Sequence, residues 1–442
     1  MKKQKIVHIV HCIDTEGPMI ETLDATFSRI DAIFGIKLTP TRANLELIQN
    51  KKLDLCGQEE AVASCFSPEL LSYNENWNDI EEMLDVMLSE GYRNEVKDDF
   101  GGGWVYSWHC MDHAGYKDNP RHKDIGYGNI FNFYHKKLTL SSSQQDEINW
   151  HFHPLSFNRN PIQSASSYLN SFDILLQILC RRVIDNGWFP VVNRPGFHTE
   201  RPDSHAFLEQ WIPFDYANQI SDQAGDQPDL IQGRFGDWAR ASKSWRGYHP
   251  HHDDYQAEGD CRRKIFRCLN LGSRSNPLKK QHIREAFEEA EREGSSILSF
   301  NNHDYRDMRA DVNFVRKILN ELRPEYPDIN IKFSGAEEAA IALTNAINFP
   351  APKLEIFLND NVLTVKIVEG EIFGPQPFLA IKTIEGSYFH DNFDLRKPLQ
   401  KWSYVFDNQT IPIEQVAVIG VGTAGRFGKS CVVTKNIDQS KF

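Results

Sequence analysis

Two carboxylates stand where the first hydrophobic run of the chain ends. Residues 6–13 are rich in Val and Ile, and Asp14 and Glu16 follow before Gly17-Pro18 breaks the run. In an extended strand, side chains two residues apart point to the same face. The spacing therefore predicts that both carboxylates face one site, where they can transfer protons or bind a cation. A surface turn with two solvated acids is the alternative interpretation.

His151 and His153 repeat this spacing at the end of a second strand candidate, residues 148–153. Two imidazoles and two carboxylates from two strand ends could surround one divalent ion. A catalytic zinc site needs three protein ligands and an open position, and His with carboxylate suits Zn²⁺ or its neighbours in the divalent series. The pattern predicts a metal site, unless the two histidines are hydrogen-bonded separately.

A second histidine pair competes with the first. His109 and His113 are four residues apart, which would place both on one helical face, as in metal-binding helices. A polar loop stacked on Trp108 is the other interpretation of this pair. We favour His151 and His153, because their position at a strand end matches that of the acidic pair.

Three further polar groups could take part in chemistry. His303 follows the strand candidate 296–300 and could act as a general acid or base, or be an ordinary surface histidine. Arg194, before Pro195-Gly196, could orient a carboxylate or bind an oxyanion, although most such arginines are structural. The cluster at residues 249–254 (His-Pro-His-His-Asp-Asp) lies in a polar loop, where solvent or substrate contact is the simpler interpretation than metal binding.

Strand and helix patterns alternate from the first strand to about residue 346. The strand candidates lie at residues 6–14, 104–108, 148–153, 188–192, 296–300 and 329–333, and the clearest helices at 42–51, 77–91, 167–186, 280–292 and 312–322. Ser334-Gly335-Ala336-Glu337 fits a capping box for a last helix. Such alternation predicts a mostly parallel α/β architecture. The acidic pair would then lie at the carboxyl end of a buried strand, where such folds place their chemistry.

The pattern changes after a linker at residues 348–352. A hairpin is predicted at residues 354–367, and further alternating runs follow. We therefore predict a small all-β sandwich over residues 353–442, separate from the domain formed by residues 1–348.

Composition narrows the class of protein. The chain has 442 residues, of which 40% are hydrophobic, and a net charge of −12. That charge argues against a nucleic-acid partner. The chain contains no membrane-span pattern and no secretory signal pattern. Its eight cysteines form no Cys-x-x-Cys pair, which favours reduced thiols and a cytoplasmic location.

Aromatic residues are frequent in a polar stretch with little periodicity, residues 218–262. Stretches of this length without regular elements are usually functional loops. We predict that residues 234–262 form a loop over the site, in which Trp238, Trp245, Tyr248 and Tyr255 stack on sugar rings.

Five of these signals follow one another in a recognisable order. They are an acidic strand end, a histidine pair, an Arg-Pro-Gly, an Asp-Trp and a strand-end histidine. In this chain they are carried by Cys12-Ile13-Asp14-Thr15-Glu16-Gly17, His109–His113 or His151–His153, Arg194-Pro195-Gly196, Asp237-Trp238 and Phe300-Asn301-Asn302-His303.

In this order the chain resembles a divergent member of the polysaccharide deacetylase (NodB-like carbohydrate esterase) superfamily over residues 5–346. The family motif Thr-Phe-Asp-Asp-Gly is similar to residues 13–17 in an Asp-x-Glu form. The motif His-Ser/Thr-x-x-His is matched in spacing by His109 to His113, with Cys110 in the Ser/Thr position, and in strand-end position by His151 and His153. The final Leu-x-His is similar to the segment that ends at His303.

The resemblance implies an irregular (β/α)7 barrel, followed here by the β-sandwich, and a metal-dependent hydrolase. The reaction would remove an acetyl or similar acyl group from an amino sugar or polysaccharide, such as those of surface-polysaccharide metabolism. Zn²⁺ is the expected metal, with Ni, Co or Mn as the other candidates. The implied ligands and catalytic groups are Glu16, His151 and His153 for the metal, Asp14 as base, His303 as acid, Arg194 beside Asp14, and Asn301 for the substrate.

Two other classes of function stay open. A carbohydrate-binding or scaffold protein could retain the barrel without the chemistry, and metal content distinguishes the two most simply. A glycosidase would need two carboxylates across a cleft, which Asp14 and Glu16 on one short segment fit poorly. The sequence carries no signal of oligomeric state.

Overall fold

The structure of the protein is a computed structural model. It describes residues 4–141, 143, 145–161, 168–221, 236–273, 277–344, 346–438 and 440. In this part of the chain, no helix combines the length and the apolar character needed to cross a bilayer.

The first 348 residues contain the strands of a parallel sheet and one small hairpin. In chain order these strands are β1 (Lys5–Thr15), β2 (Tyr106–Cys110), β3 (Glu147–Phe152), β4 (Val192–Pro195), β5 (Phe214–Asn218), β6 (Pro250–His251), β7 (Asp254–Glu258), β8 (Lys264–Arg267), β9 (Leu269–Asn270), β10 (Ser295–His303) and β11 (Ile329–Phe333). The predicted alternation of strands and helices is present. The strand predicted at residues 188–192 lies instead at Val192–Pro195, so Arg194 is inside a strand and not after it.

Eight parallel strands form a nearly closed barrel in the order β8-β5-β4-β3-β2-β1-β10-β9. The predicted barrel had seven strands. The difference arises at Cys268, which divides one run into β8, paired with β5, and β9, paired with β10. Residues 264–270 thereby connect the two edges of the sheet.

β1 is the centre of this sheet. It is buried on both faces from Val7 to Thr15, as expected for a Val- and Ile-rich strand in a parallel sheet. It pairs with β10 along its length, and on its other side with β11 first and β2 later. In this register Asp14 lies opposite both His303 and His109.

Several helices pack on the barrel, and the first three form a small apolar cluster of their own. The helices are α1 (Leu23–Phe34), α2 (Arg42–Gln49), α3 (Glu59–Cys65), α4 (Trp77–Met87), α5 (Glu90–Arg93), α6 (Asn129–Leu140), α7 (Phe172–Asn186), α8 (Pro202–Trp211), α9 (Lys280–Glu293), α10 (Arg309–Leu322) and α11 (Ala336–Leu343). Local sequence explains many of their ends. Asn76 and Asp79 form a capping box on α4, and Gly187 ends α7 with φ 60°.

The capping box expected at Ser334 is wrong. The N-cap of α11 is Gly335, and no side chain of that segment caps it. The carboxyl oxygens of Glu147 accept the backbone N–H groups of Glu337 and Glu338 instead, and the Ser334 hydroxyl bonds to His8.

Residues beyond the linker form two four-stranded antiparallel sheets. The strands are β12 (Lys353–Asn359), β13 (Val362–Glu369), β14 (Phe378–Thr383), β15 (Tyr388–Asp391), β16 (Asp394–Lys397), β17 (Lys401–Val405), β18 (Val416–Ala424) and β19 (Ser430–Asn436), in the orders β12-β13-β17-β16 and β15-β14-β18-β19. The two sheets share an apolar core that includes Leu363, Trp402, Ile381 and Val421.

Candidate metal centre

Four strands bring the predicted polar residues to one end of the barrel. Asp14 is in β1 with Glu16 just beyond it, His151 is in β3 with His153 just beyond it, Arg194 is in β4, and His303 ends β10. Because these strands are parallel, their carboxyl ends meet at one edge. The candidate residues of distant segments are therefore neighbours in space.

Glu16, His151 and His153 form a buried group that could bind a metal ion. One ligand atom from each lies within 4.8 Å of the other two. The Nε2 atoms of His151 and His153 are 3.0 Å apart, and Nε2 of His153 is 3.6 Å from Oε1 of Glu16. Two imidazoles and one carboxylate are a ligand set of the kind found in catalytic zinc sites.

The protonation of His151 suits a metal ligand. Its Nδ1 lies 2.6 Å from the carbonyl oxygen of Arg194. A carbonyl only accepts hydrogen bonds, so Nδ1 carries the proton and the lone pair of Nε2 is directed toward His153 and Glu16. Burial lowers the pKa of His151 to about 4, so the ring is neutral at pH 7, as metal binding requires.

Lys123 fixes the orientation of Glu16. Its Nζ lies 2.8 Å from Oε2 of Glu16, which leaves Oε1 directed toward His153. Although burial opposes the shift, Lys123 and His153 hold the pKa of the Glu16 carboxyl well below its usual value. His113 donates from Nε2 to the backbone carbonyl of Glu16, at 2.8 Å. Glu16 is thus an ionised carboxylate held at both its side chain and its backbone.

Asp304 supports the turn that carries Glu16. It accepts the backbone N–H of Glu16 at 2.8 Å and that of Gly17 at 3.0 Å, and the hydroxyl of Tyr134 donates to it at 2.9 Å. Gly17 has φ 69°, a conformation that favours glycine. Neither Asp304 nor Lys123 is among the predicted site residues. For Asp304 the available signal was its position directly after His303 at a strand end, whereas Lys123 lies between β2 and α6 and has no such signal.

Asp14 is held as a carboxylate beside the metal-binding group. Arg194 Nε lies 2.7 Å from Oδ1, and Asn301 donates from Nδ2 to Oδ2 at 3.2 Å. Nδ1 of His151 is 3.8 Å from Oδ1. Burial opposes ionisation, yet Arg194 and the nearby histidines hold the pKa of Asp14 well below its ordinary value. Asp14 is therefore negatively charged at neutral pH.

His303 faces both carboxylates. Its Nε2 lies 3.7 Å from Oδ2 of Asp14 and 3.9 Å from Oε1 of Glu16. Burial lowers its pKa to about 3, while the two carboxylates act in the opposite direction. Its ring packs against Tyr305, with ring centroids 4.8 Å apart. His303 is thus a neutral imidazole within a small movement of Asp14.

The Arg-Pro-Gly segment needs its glycine for space. A Cβ at Gly196 would lie 2.2 Å from Cδ2 of His153. The next two residues, Phe197 and His198, both have positive φ, 54° and 50°, which is strained for residues with side chains. The indole N–H of Trp238 donates to the His198 carbonyl at 2.9 Å. Trp238 therefore stabilises a strained turn beside the site.

The prediction that Trp238, Trp245 and Tyr248 lie in a loop over the site and stack on sugar rings is wrong, because all three rings pack in apolar cores. Trp238, Trp245 and Tyr248 are all buried. Trp245 packs in the main barrel core, while Trp238 and Tyr248 form a smaller apolar cluster with Ile265. The β6–β7 hairpin gives order to part of the stretch, and residues 222–235 lie outside the described residues. Among the described residues, these three rings are absent from the cavity lining.

The competing histidines do not join the metal-binding group. His109 lies in β2, not on a helix, and its Nδ1 is 3.4 Å from the carbonyl of Trp150. His113 contacts the Glu16 backbone as described above. In the loop cluster, Nδ1 of His249 bonds to the carbonyls of Cys261 and Arg263, and His252 is exposed beside Asp253. The alternative in which His109 and His113 share a helical face is wrong, because His109 lies in the extended strand β2.

A cavity of about 160 Å³ opens onto the metal-binding group. Its lining includes Asp14, Glu16, His151, His153 and His303, together with Tyr116, Phe197 and Tyr305. A small molecule in the cavity can therefore reach both carboxylates and the three imidazoles.

Comparison with protein-family models, with curated proteins and with solved structures found no match to this chain. The site must accordingly be interpreted from its own geometry.

Proposed function

We propose that this protein is a metal-dependent hydrolase on a barrel of the deacetylase type, and that it removes an acyl group, in the simplest case acetyl, from an amino sugar or polysaccharide. The observation that carries the proposal is the joint placement of Glu16, His151 and His153 with Asp14 and His303 on one cavity. Hydrolysis of an unactivated amide needs a polarised carbonyl, a deprotonated water and a protonated leaving amine. This group offers a candidate for each requirement.

Glu16, His151 and His153 hold the cation in this proposal. A divalent cation supplies polarisation of a carbonyl oxygen and acidifies water toward neutral pH. The mixed imidazole and carboxylate set favours Zn²⁺, with Ni²⁺, Co²⁺ and Mn²⁺ as alternatives. Lys123 and the Arg194 carbonyl act behind these ligands, by fixing the carboxylate and the tautomer of His151.

Asp14 and His303 move the protons. Asp14 is ionised at rest and accepts a proton from the attacking water. His303 is neutral at rest, so it must receive a proton before it can donate one to the leaving amine. The 3.7 Å between Nε2 of His303 and Oδ2 of Asp14 allows this transfer after a small ring movement or through one water. The proton taken from water thus ends on the amine.

The test combines metal analysis with a hydrolysis assay. Protein purified without chelator is analysed for bound metals, then incubated with N-acetylated sugars and oligosaccharides while acetate release is measured. We expect about one equivalent of divalent metal and metal-dependent release of acetate. Bound metal without turnover on any substrate, together with saturable sugar binding, would instead favour a carbohydrate-binding protein that has lost the chemistry.

A further inference from the structure

The cavity has more positive charge than the protein that surrounds it. The whole chain has 61 acidic against 49 basic residues. Among the described residues that line the cavity, four are cationic and three acidic: Arg29, Arg121, Lys123 and Arg306 against Asp14, Glu16 and Asp118. A concentration of cations in a cavity of an acidic protein calls for an explanation.

The charges nearest the metal-binding group are already paired. Arg194, behind the cavity wall, neutralises Asp14, and Lys123 neutralises Glu16. The three remaining guanidinium groups, of Arg29, Arg121 and Arg306, form what we call the cationic wall. Arg29 and Arg121 share the single buried carboxylate of Glu21, at 2.8 and 3.0 Å. Against the three guanidinium groups stand the carboxylates of Glu21 and of the exposed Asp118, so the cationic wall keeps one excess positive charge.

Arg306 is held in place by two backbone carbonyls. Its Nε and Nη2 donate to the carbonyl of Leu70, and its Nη1 donates to the carbonyl of Gly272, at 3.0 to 3.3 Å. Among the described residues, it makes no ion pair with a carboxylate. A guanidinium has five N–H donors, so these three bonds leave two of them, one on each Nη, for a ligand. Its position is fixed before any ligand binds.

Two tyrosine rings connect the cationic wall to the site. The guanidinium groups of Arg121 and Arg306 lie 5.7 and 5.5 Å from the ring centre of Tyr73. The guanidinium group of Arg306 lies 5.0 Å from the ring centre of Tyr305. The ring of Tyr305 also packs against that of His303. Arg121 and Arg306 line the same cavity and carry the same charge, so both attract an anion that enters it. The ring of Tyr305, which contacts both Arg306 and His303, separates Arg306 from His303.

We infer that the substrate carries an anionic group, a carboxylate or a phosphate, which Arg306 and Arg121 bind across Tyr305 from His303. This inference rests on the proposed function, because it describes the substrate of that reaction. Arginine is suited to both groups, since its planar donor pairs match their oxygens. The ring of Tyr305 can at the same time pack against the apolar face of a sugar.

The experiment measures binding with matched probes on the full-length protein. Calorimetry compares N-acetylglucosamine, which is neutral, with N-acetylmuramic acid, which adds a carboxylate, and with N-acetylglucosamine 6-phosphate. Inorganic phosphate serves as a probe without sugar. We expect at least one anionic sugar to bind about tenfold or more tightly than the neutral one, with an advantage that falls as salt is added. The anionic sugar with the larger gain in affinity shows whether the subsite prefers a carboxylate or a phosphate.

Two variants test the residues. Arg306→Gln and Arg121→Gln should each reduce the advantage of the anionic probe about tenfold, while binding of the neutral sugar is unchanged. Arg309→Gln is the matched control, because Arg309 is exposed, pairs with Asp307 and is absent from the described cavity lining. If Arg306→Gln fails to fold, Arg306→Lys replaces it and should lose part of the advantage, since Lys keeps the charge without the paired donors.

The outcomes separate the two proposals. Equal affinity for all sugars, an advantage that survives both substitutions, or no binding of any anionic probe would overturn the anion subsite. If a neutral N-acetylated sugar is hydrolysed without any preference for charge, the proposed function stands and the anion subsite fails. If the anionic probes bind through Arg306 but no N-acyl sugar is hydrolysed, the anion subsite stands and the proposed function fails.

Discussion

Arg194 Nε lies 2.7 Å from Oδ1 of Asp14, and neither side chain is more than 5% exposed. This buried contact joins β4 to β1 across the barrel interior. Removing one partner of such a pair leaves an uncompensated buried charge, which typically costs about 3–5 kcal/mol. The pair is therefore costly to break on one side only, and it keeps Asp14 ionised.

Arg194→Gln should raise the pKa of Asp14, because the cation that holds this pKa low is removed. Asp14 must be ionised to accept a proton, so the acidic limb of the profile of kcat/KM against pH should move to higher pH. The profile is measured on a substrate identified by acetate release. Arg309→Gln should leave the limb in place. An Arg194→Gln enzyme with full activity and an unshifted acidic limb would show that Asp14 is not the base.

His153→Ala should abolish stoichiometric metal binding, because it removes one of the three proposed ligands. The measurement is metal content after purification without chelator, with the fold checked by circular dichroism. His252→Ala is the control, since His252 is exposed in the loop cluster. The choice of ligands would be wrong if His109→Gln lost the metal while His153→Ala kept it.

Gly196→Ala should weaken metal binding without altering any ligand. Its new Cβ would lie 2.2 Å from the ring of His153, so the ring must move. Displacing a ligand through its surroundings typically costs about 10–100-fold in metal affinity. Affinity is measured by competition with a chelator of known strength. Gly91→Ala is the control, because no atom lies within 4 Å of the added Cβ, and unchanged affinity in Gly196→Ala would contradict this account.

The sequence could predict the parts of the site that depend on local spacing. Asp14 with Glu16 and His151 with His153 each share a face because of strand geometry, and the parallel alternation predicted that the strand ends meet. Lys123 and Asp304 were beyond such reasoning. Each reaches Glu16 from a segment more than a hundred residues away, and no period of the sequence encodes a contact of that kind.

The burial of the aromatic rings is a second feature that the sequence pattern did not predict. Trp245 stands among Ser, Lys and Arg residues, so its neighbourhood looks exposed. Its backbone carbonyl accepts from Ile297 at 2.6 Å, and its N–H donates to Glu289 at 2.6 Å. Tertiary contacts with β10 and α9 therefore carry the ring into the core while the polar neighbours stay outside. The polarity of the neighbouring residues in the sequence therefore does not predict that the Trp245 ring is buried.

Glu147→Gln should make stability less dependent on pH. Burial, with the nearby Glu337, raises the pKa of Glu147 above its ordinary value. The folded protein then holds a proton that the unfolded chain has lost, so this group stabilises the fold at low pH and loses that contribution as pH rises. Relative to wild type, Glu147→Gln should gain at least about 1 kcal/mol between about pH 5 and pH 8.

Urea unfolding at the two pH values measures this gain. Glu338→Gln is the control, since Glu338 is an exposed residue of α11 that pairs with Lys332 in β11. Parallel stability curves for wild type and Glu147→Gln would show that Glu147 is ionised in the fold over this range.

His303→Gln should keep the metal and the fold but lower kcat by about 10²–10⁴-fold, the usual effect of losing a positioned acid or base. His303 is outside the metal-binding group, while its Nε2 lies 3.7 Å from Asp14 Oδ2 and the ring faces the cavity. Glutamine preserves a hydrogen-bonding side chain of similar size but cannot transfer a proton. A substrate with a more acidic leaving group needs less protonation, so His303→Gln should hydrolyse an acetate ester of a nitrophenol nearly as well as wild type. Loss of metal in His303→Gln, or an equal loss of rate on amide and activated ester, would mean that His303 acts on the ion or the fold and not on the leaving amine.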